Sequence, residues 1–222
     1  MIDSMKNILR IKNSAKKRIV KFINRIRGDV FDNAGAVTSA DLNELRRAID
    51  QVAPQLVIEI GTGTGVSTRG IFTYLIEKYP ECEFFTLDIF QEYLDRVVAE
   101  FSTSNRFHVR HGLSVNREET TNPAFDELAN YNGPVNVLRK LLQLELKNKF
   151  IDVAFIDSRK GTAVPEFKVI AERLSPNGII LCHDILNGGK AVELVEYLKT
   201  NSGFTYEIID TGPAGMVRIQ RS

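Results

Sequence analysis

The segment Val57-Ile58-Glu59-Ile60-Gly61-Thr62-Gly63-Thr64-Gly65-Val66-Ser67 runs from a continuous apolar stretch through three glycines into a helical pattern. An apolar run without alternation suits a strand buried on both faces. The glycines suit a sharp strand-to-helix turn, because a residue without Cβ takes positive φ and lets a ligand approach the backbone. In an open α/β sheet, ligands bind in the crevice beyond the carboxyl ends of the strands. The dinucleotide form of this turn needs G-x-G-x-x-G, but here the third glycine is Gly65 and Val66 fills the slot. What remains is E-x-G-x-G-x-G. A second acid, Asp88, ends the next apolar run 23 residues past Gly65. A carboxylate there can accept both hydroxyls of a vicinal diol.

Outward from this turn, strands and helices alternate. Strands are expected at 56–60, 83–88, 106–110, 151–156 and 179–182. Helices are expected at 66–79, 91–101, around 135–146, at 164–174 and at 191–200. Ser175-Pro176-Asn177-Gly178 reads as a turn, and 206–209 with 216–220 as a hairpin joined by Asp210 to Gly215. Thr38, with Asp41 three residues on, marks a helix start before Leu42, Leu45 and Ile49, and Pro54 ends that helix. This order predicts a Rossmann-like, doubly wound α/β domain with a mainly parallel seven-stranded sheet and a C-terminal antiparallel hairpin.

At 222 residues, 43% hydrophobic and 26% charged, the chain has the profile of one soluble domain. Cys82 and Cys182 form no CxxC pair and read as small core residues in a reducing compartment. No apolar run reaches the roughly 18 residues of a membrane span. Lysines and arginines interrupt the first 27 residues, so no secretory signal is expected and a cytoplasmic location is. Net charge is +1, yet residues 1–27 carry nine basic residues against Asp3 alone. A basic arm therefore precedes an acidic body, and the expected division is 1–36 for the arm and linker and 37–222 for the domain.

The E-x-G-x-G-x-G turn resembles the first motif of class I S-adenosylmethionine-dependent methyltransferases. Ile151-Asp152-Val153-Ala154-Phe155-Ile156-Asp157-Ser158-Arg159-Lys160 and Gly178-Ile179-Ile180-Leu181-Cys182-His183-Asp184 extend the likeness. They are similar to strand ends of the catechol-type, metal-dependent O-methyltransferases and of related bacterial enzymes with FID and HD endings. The resemblance covers roughly residues 37–222. It implies that Glu59, Gly61 and Ser67 hold the methionine moiety, with Gly63 and Gly65 completing the cofactor turn, and that Asp88 holds the ribose. It implies adenine contact for Ser114, although Leu113 stands where many such enzymes have an aspartate. Asp157 matches the first metal ligand, and Lys160 the lysine that takes the acceptor's proton.

The fifth strand departs from that pattern, with His183-Asp184 in place of Asp-Asn. Magnesium prefers oxygen ligands, and imidazole better suits zinc, iron or manganese. Either Asp157 and Asp184 bind magnesium or manganese without His183, or His183 is a general base and no metal is needed. Lys160 reads equally as a base or as a solvated surface lysine. The acceptor is expected to be a hydroxyl of a small molecule or sugar, with the 115–148 connection shaping its pocket. Two rivals remain: a nicotinamide-dependent oxidoreductase, disfavoured by Val66, and a cofactor-binding partner protein that has lost catalysis.

In the arm, Ile8, Ile11, Ala15, Ile19, Phe22 and Ile26 recur at helical spacing opposite the cations. That stripe suits a homodimer through helix packing first, and peripheral contact with an anionic membrane second. Nucleic acid ranks last, because Phe22 is the only aromatic residue there able to stack on a base. Sedimentation of the full chain should give a dimer and residues 28–222 a monomer. Equal assembly states would end the dimer reading.

Overall fold

The computed structural model describes residues 37–120, Leu128 and 131–222. Contacts divide the chain into Met1–Ala36 and Val37–Ser222, and the helix expected between Ile8 and Ile26 lies outside the described residues. Helix α1 (Ser39–Val52) starts at Thr38 with a reciprocal cap. Asp41 N donates to Thr38 Oγ1 at 3.2 Å, and Thr38 N donates to Asp41 Oδ2 at 2.6 Å. Caps of this kind contribute about 1 kcal/mol. Ala53, left-handed at φ 50°, ends the helix before Pro54.

There follow β1 (Leu56–Ile60), α2 (Val66–Lys78), β2 (Glu83–Asp88), α3 (Gln91–Phe101) and β3 (Phe107–His111). A short α4 (Val137–Lys140) continues as a π turn over Leu141–Glu145. Then come β4 (Ile151–Ile156), α5 (Ala163–Ala171), β5 (Leu174–His183), α6 (Ala191–Lys199), β6 (Phe204–Ile209) and β7 (Met216–Arg221). The seven strands lie in the order β3-β2-β1-β4-β5-β7-β6. The first five are parallel, and β7 runs antiparallel to both β5 and β6.

Side chains alternate to the two faces of the sheet. Val57, Val153, Phe155 and Leu181 pack with Leu45, Ile49, Phe72 and Leu75 of α1 and α2. Ile58, Ala154, Ile156 and Ile180 pack with Leu138, Phe167 and Leu194 of α4, α5 and α6. Both faces are covered, as the unbroken apolar strands require. Cys82 and Cys182 are buried and free. Among the described residues, no helix is long and apolar enough to cross a membrane.

One element differs from expectation. Ser175-Pro176-Asn177-Gly178, read as a turn, belongs to β5, which begins at Leu174, while α5 ends at Ala171. Leu174 pairs with Ile151, and the register then shifts before Val153 meets Ile179. Pro176 is tolerated there because an irregular strand opening does not need its missing N–H.

The winding of the sheet switches sense between the parallel neighbours β1 and β4, and the ends of these strands are tied together. Asp157 N donates to Ile60 O and Gly61 N to Leu87 O, each at 2.8 Å. Gly61 has φ +99°, and a Cβ on it would stand 2.2 Å from the Asp157 carbonyl oxygen. Gly63 has φ +51° and nothing within 4 Å of such an atom. Gly61→Ala should therefore cost on the order of 3 kcal/mol in urea unfolding, and Gly63→Ala about 1 kcal/mol. Equal costs would contradict this account of the junction.

Candidate functional site

A cavity of about 290 Å³ opens beyond the carboxyl ends of β1, β2, β3 and β4. Gly61 and Gly63, Asp88, Leu113 and Ser114, and Asp157 each line it from a different strand end. Asp88 holds the turn as well as facing the cavity. Its Oδ2 accepts from Gly63 N and its Oδ1 from Phe90 N, both at 2.9 Å. An ionised carboxylate has about four acceptor positions, so about two remain for a ligand.

Glu59 and Ser67 stand behind the turn, outside the cavity lining, and both are buried. Glu59 Oε2 accepts from Thr68 Oγ1 at 2.6 Å and Thr86 Oγ1 at 2.7 Å, and Thr62 meets Thr86 at 2.5 Å. Its other oxygen, Oε1, is buried without a hydrogen-bond partner among the described residues. Burial raises the Glu59 carboxyl to about 7, against the pull of the Ser67, Thr68 and Thr86 hydroxyls. Gly65, the residue before α2, donates from N to Thr62 O at 2.8 Å to close the turn and accepts from Arg69 N at 3.0 Å to open the helix.

Glu166 escaped the sequence reading. It lines the cavity from α5, accepts from Ser114 Oγ, and takes a 2.5 Å bond from Ser158 Oγ. Burial raises its carboxyl to about 7, opposed by the hydroxyls of Ser114, Ser158 and Thr162. A signal was present: Glu166 falls on the apolar face formed by Ala163, Phe167 and Ile170, where an acid needs a partner.

At the far rim, β4 and β5 end side by side and bring Asp157, His183 and Asp184 together. His183 Nδ1 lies 3.3 Å from Asp157 Oδ1 and 3.5 Å from Asp184 Oδ1. Its Nε2 faces Asp41 Oδ2 at 3.4 Å, close enough for ion pairing but without hydrogen-bond geometry. Asp41 thus does more than cap α1. Burial alone would lower the His183 pKa, but the Asp157 and Asp41 carboxylates raise it to about 9. Fully buried and held charged, His183 has no exposed edge from which to deprotonate an acceptor.

Lys160, the base implied by resemblance, is exposed and outside the cavity lining. A different lysine enters the cluster. Lys190, 6% exposed, donates from Nζ to Asp157 Oδ1 at 2.8 Å and to Asp184 Oδ2 at 2.5 Å. Burial opposes its charge, yet the two carboxylates raise its pKa. One ligand atom from each of Asp157, His183 and Asp184 would fall within 4.8 Å of the others, which suits a metal by spacing. The ammonium already bridges both carboxylates, so this arrangement does not fit a divalent ion. The remaining histidines are unremarkable: His108 stacks on Phe85 at 4.3 Å between ring centres, and His111 Nε2 meets Ile89 O at 3.0 Å.

Residues 58–185 match the family described as methyltransferase domain. A search of curated proteins returns no match. Among solved structures, the chain is similar to an SAH-bound methyltransferase of Podospora anserina, with TM-score 0.65 and 15% identity over 98% of this chain and 96% of that one. It is also similar to an O-methyltransferase of Bacillus cereus in complex with SAH (TM-score 0.63, 16% identity, 94% and 91% covered). A third is the O-methyltransferase TomG of Streptomyces achromogenes in complex with SAM (TM-score 0.58, 16% identity, 84% and 82% covered). At such identities these likenesses establish the fold.

The buried acids and His183 give stability a definite pH dependence. Glu59 and Glu166 rise from 4.5 to about 7, and His183 from 6.5 to about 9, so each binds its proton more tightly when folded. Their stabilisation is complete below the ordinary values and is lost as pH rises through the folded ones. Asp41 and Asp184 are both lowered, although burial opposes this: His183, Thr211 and Thr38 favour the charged Asp41, and Lys190 the charged Asp184. Their contribution is lost in acid. Unfolding free energy should fall between about pH 5 and about pH 9, and Glu59→Gln and Glu166→Gln should flatten the fall. A rise across that range would contradict these assignments.

Proposed function

The chain belongs to the methyltransferase domain family, and we propose that it transfers the methyl group of S-adenosylmethionine to a hydroxyl of a small molecule or sugar. The observation that carries this is the cavity where the sheet's winding switches between β1 and β4, lined together by Gly61, Gly63, Asp88 and Asp157. The residues fit the cofactor. Open space lies where a Cβ of Gly63 would be, and Asp88 lines the cavity with acceptor positions for a ribose diol. With leucine at position 113, polar contact to the adenine falls to Ser114 and to Glu166, which holds it.

When bound, S-adenosylmethionine supplies a methyl group on a sulfonium that already carries its own leaving group. The chain's task is to hold the acceptor in line and to remove its proton. Lys160 is exposed and His183 is enclosed, which leaves Asp157 as the cavity's acid near the rim. Asp157 Oδ1 is engaged by Lys190, while Oδ2 makes no hydrogen bond among the described residues. Oδ2 orients the acceptor hydroxyl and takes its proton as the new O–C bond forms. A carboxylate is a weak base toward an alcohol, so the proton moves late and geometry supplies most of the acceleration.

Calorimetry should show binding of S-adenosylmethionine and S-adenosylhomocysteine and none of NAD. No heat with the first two would end this reading. Asp88→Ala should lose about 1.5–3 kcal/mol of cofactor affinity, the worth of hydrogen bonds to a charged group. Asp157→Asn should lower kcat by about 100-fold or more while cofactor affinity stays within about twofold. A full-rate Asp157→Asn enzyme would remove that residue from the chemistry.

A further inference from the structure

The loop from Asp184 to Lys190 is folded back on itself. Asp184 is left-handed at φ 68°, and its backbone N donates to Gly215 O at 3.1 Å. Asn187 Nδ2 donates to Asp184 Oδ1 at 2.9 Å, and Gly189 N donates to Asn187 Oδ1 at 3.0 Å. At Gly189 a Cβ would stand 2.5 Å from Asp184 Cβ, so only glycine lets the chain pass this close. The loop returns to Lys190 immediately before α6, and the side chain runs inward to the two carboxylates.

A divalent ion and a lysine ammonium compete for the same thing here, the facing oxygens of Asp157 and Asp184. Removing the ammonium without a replacement would leave two mostly buried carboxylates short of a counter-charge, which the interior disfavours strongly. The tether also makes the ammonium's arrival intramolecular, whereas an ion must be drawn from solution. We propose that Lys190 is a built-in cation: its ammonium takes the position between Asp157 and Asp184 that a divalent metal would otherwise hold, and the site works without a metal. Its role is positional, fixing Asp157 Oδ1 so that Oδ2 is presented to the acceptor.

The catalytic half of this inference rests on the methyl-transfer reading of the cavity, but the cation seat does not. The test is therefore metal binding by the full chain, read by the electron paramagnetic resonance signal of free Mn²⁺. Wild type should leave the signal unchanged. Lys190→Met and Lys190→Ala, each checked for folding by circular dichroism, should deplete it in proportion to protein. Adding Asp157→Asn to either variant should restore it. Depletion by wild type that Asp157→Asn abolishes would overturn the proposal, as would failure of both folded variants to take up Mn²⁺. A variant that does not fold leaves the wild-type measurement decisive. Should the protein bind no S-adenosylmethionine, the functional reading fails while the Mn²⁺ result still decides the seat.

Discussion

Gly61 lies flush against the carbonyl of Asp157, and that contact sets the spacing of everything around it. With no β-carbon between them, β1 and β4 end at the same level, tied by Asp157 N to Ile60 O. The adjacent bond from Gly61 N to Leu87 O brings β2 to the same level and delivers Asp88 to the turn it supports. A cavity at a sheet reversal is common to open α/β folds. What this sequence adds is a turn braced on both sides, by Asp88 in front and by the Glu59–Thr68–Thr86 group behind.

Electrostatics divides the site into two halves. Around Glu59 and Glu166, the buried acids are hydrogen-bonded by hydroxyls, which can bond either protonation state. Around Asp157 and Asp184 the acids are met by cations instead, Lys190 from one side and His183 from another. Buried ion pairs of that kind add little net stability, because desolvation offsets the attraction. They do impose one arrangement, since any other would leave a charge without a partner.

Much of this was legible in the sequence, and what was missed has physical causes. Strand ends were readable because buried parallel strands are continuous apolar runs, so Glu59, Asp88, Asp157 and Asp184 stood out at their borders. Ser175-Pro176-Asn177-Gly178 misled because turn propensity is local, whereas the pairing of Leu174 with Ile151 is not. Asp41 was hidden by its own sufficiency: a capping role explained it fully, and its contact with His183 joins residues far apart in the chain. Lys160 and Lys190 show the limit most clearly. Likeness to the catechol-type motif favoured the first, but the path of a glycine-containing loop brings in the second.

The same Asp41 that begins the first described helix also accepts a hydrogen bond from Thr211, 170 positions later, and Thr38 Oγ1 reaches the Thr211 carbonyl at 3.3 Å. His183 is enclosed between this link and Asp157. On a ribosome, the glycine turn and its first flanking helices emerge long before Thr211 does. Every residue lining the cavity lies at or before Glu166, so all of them are made before the link through Thr211 can close over His183. Until Thr211 is in place Asp41 lacks one of its hydrogen-bond donors, and the enclosure of His183 is incomplete.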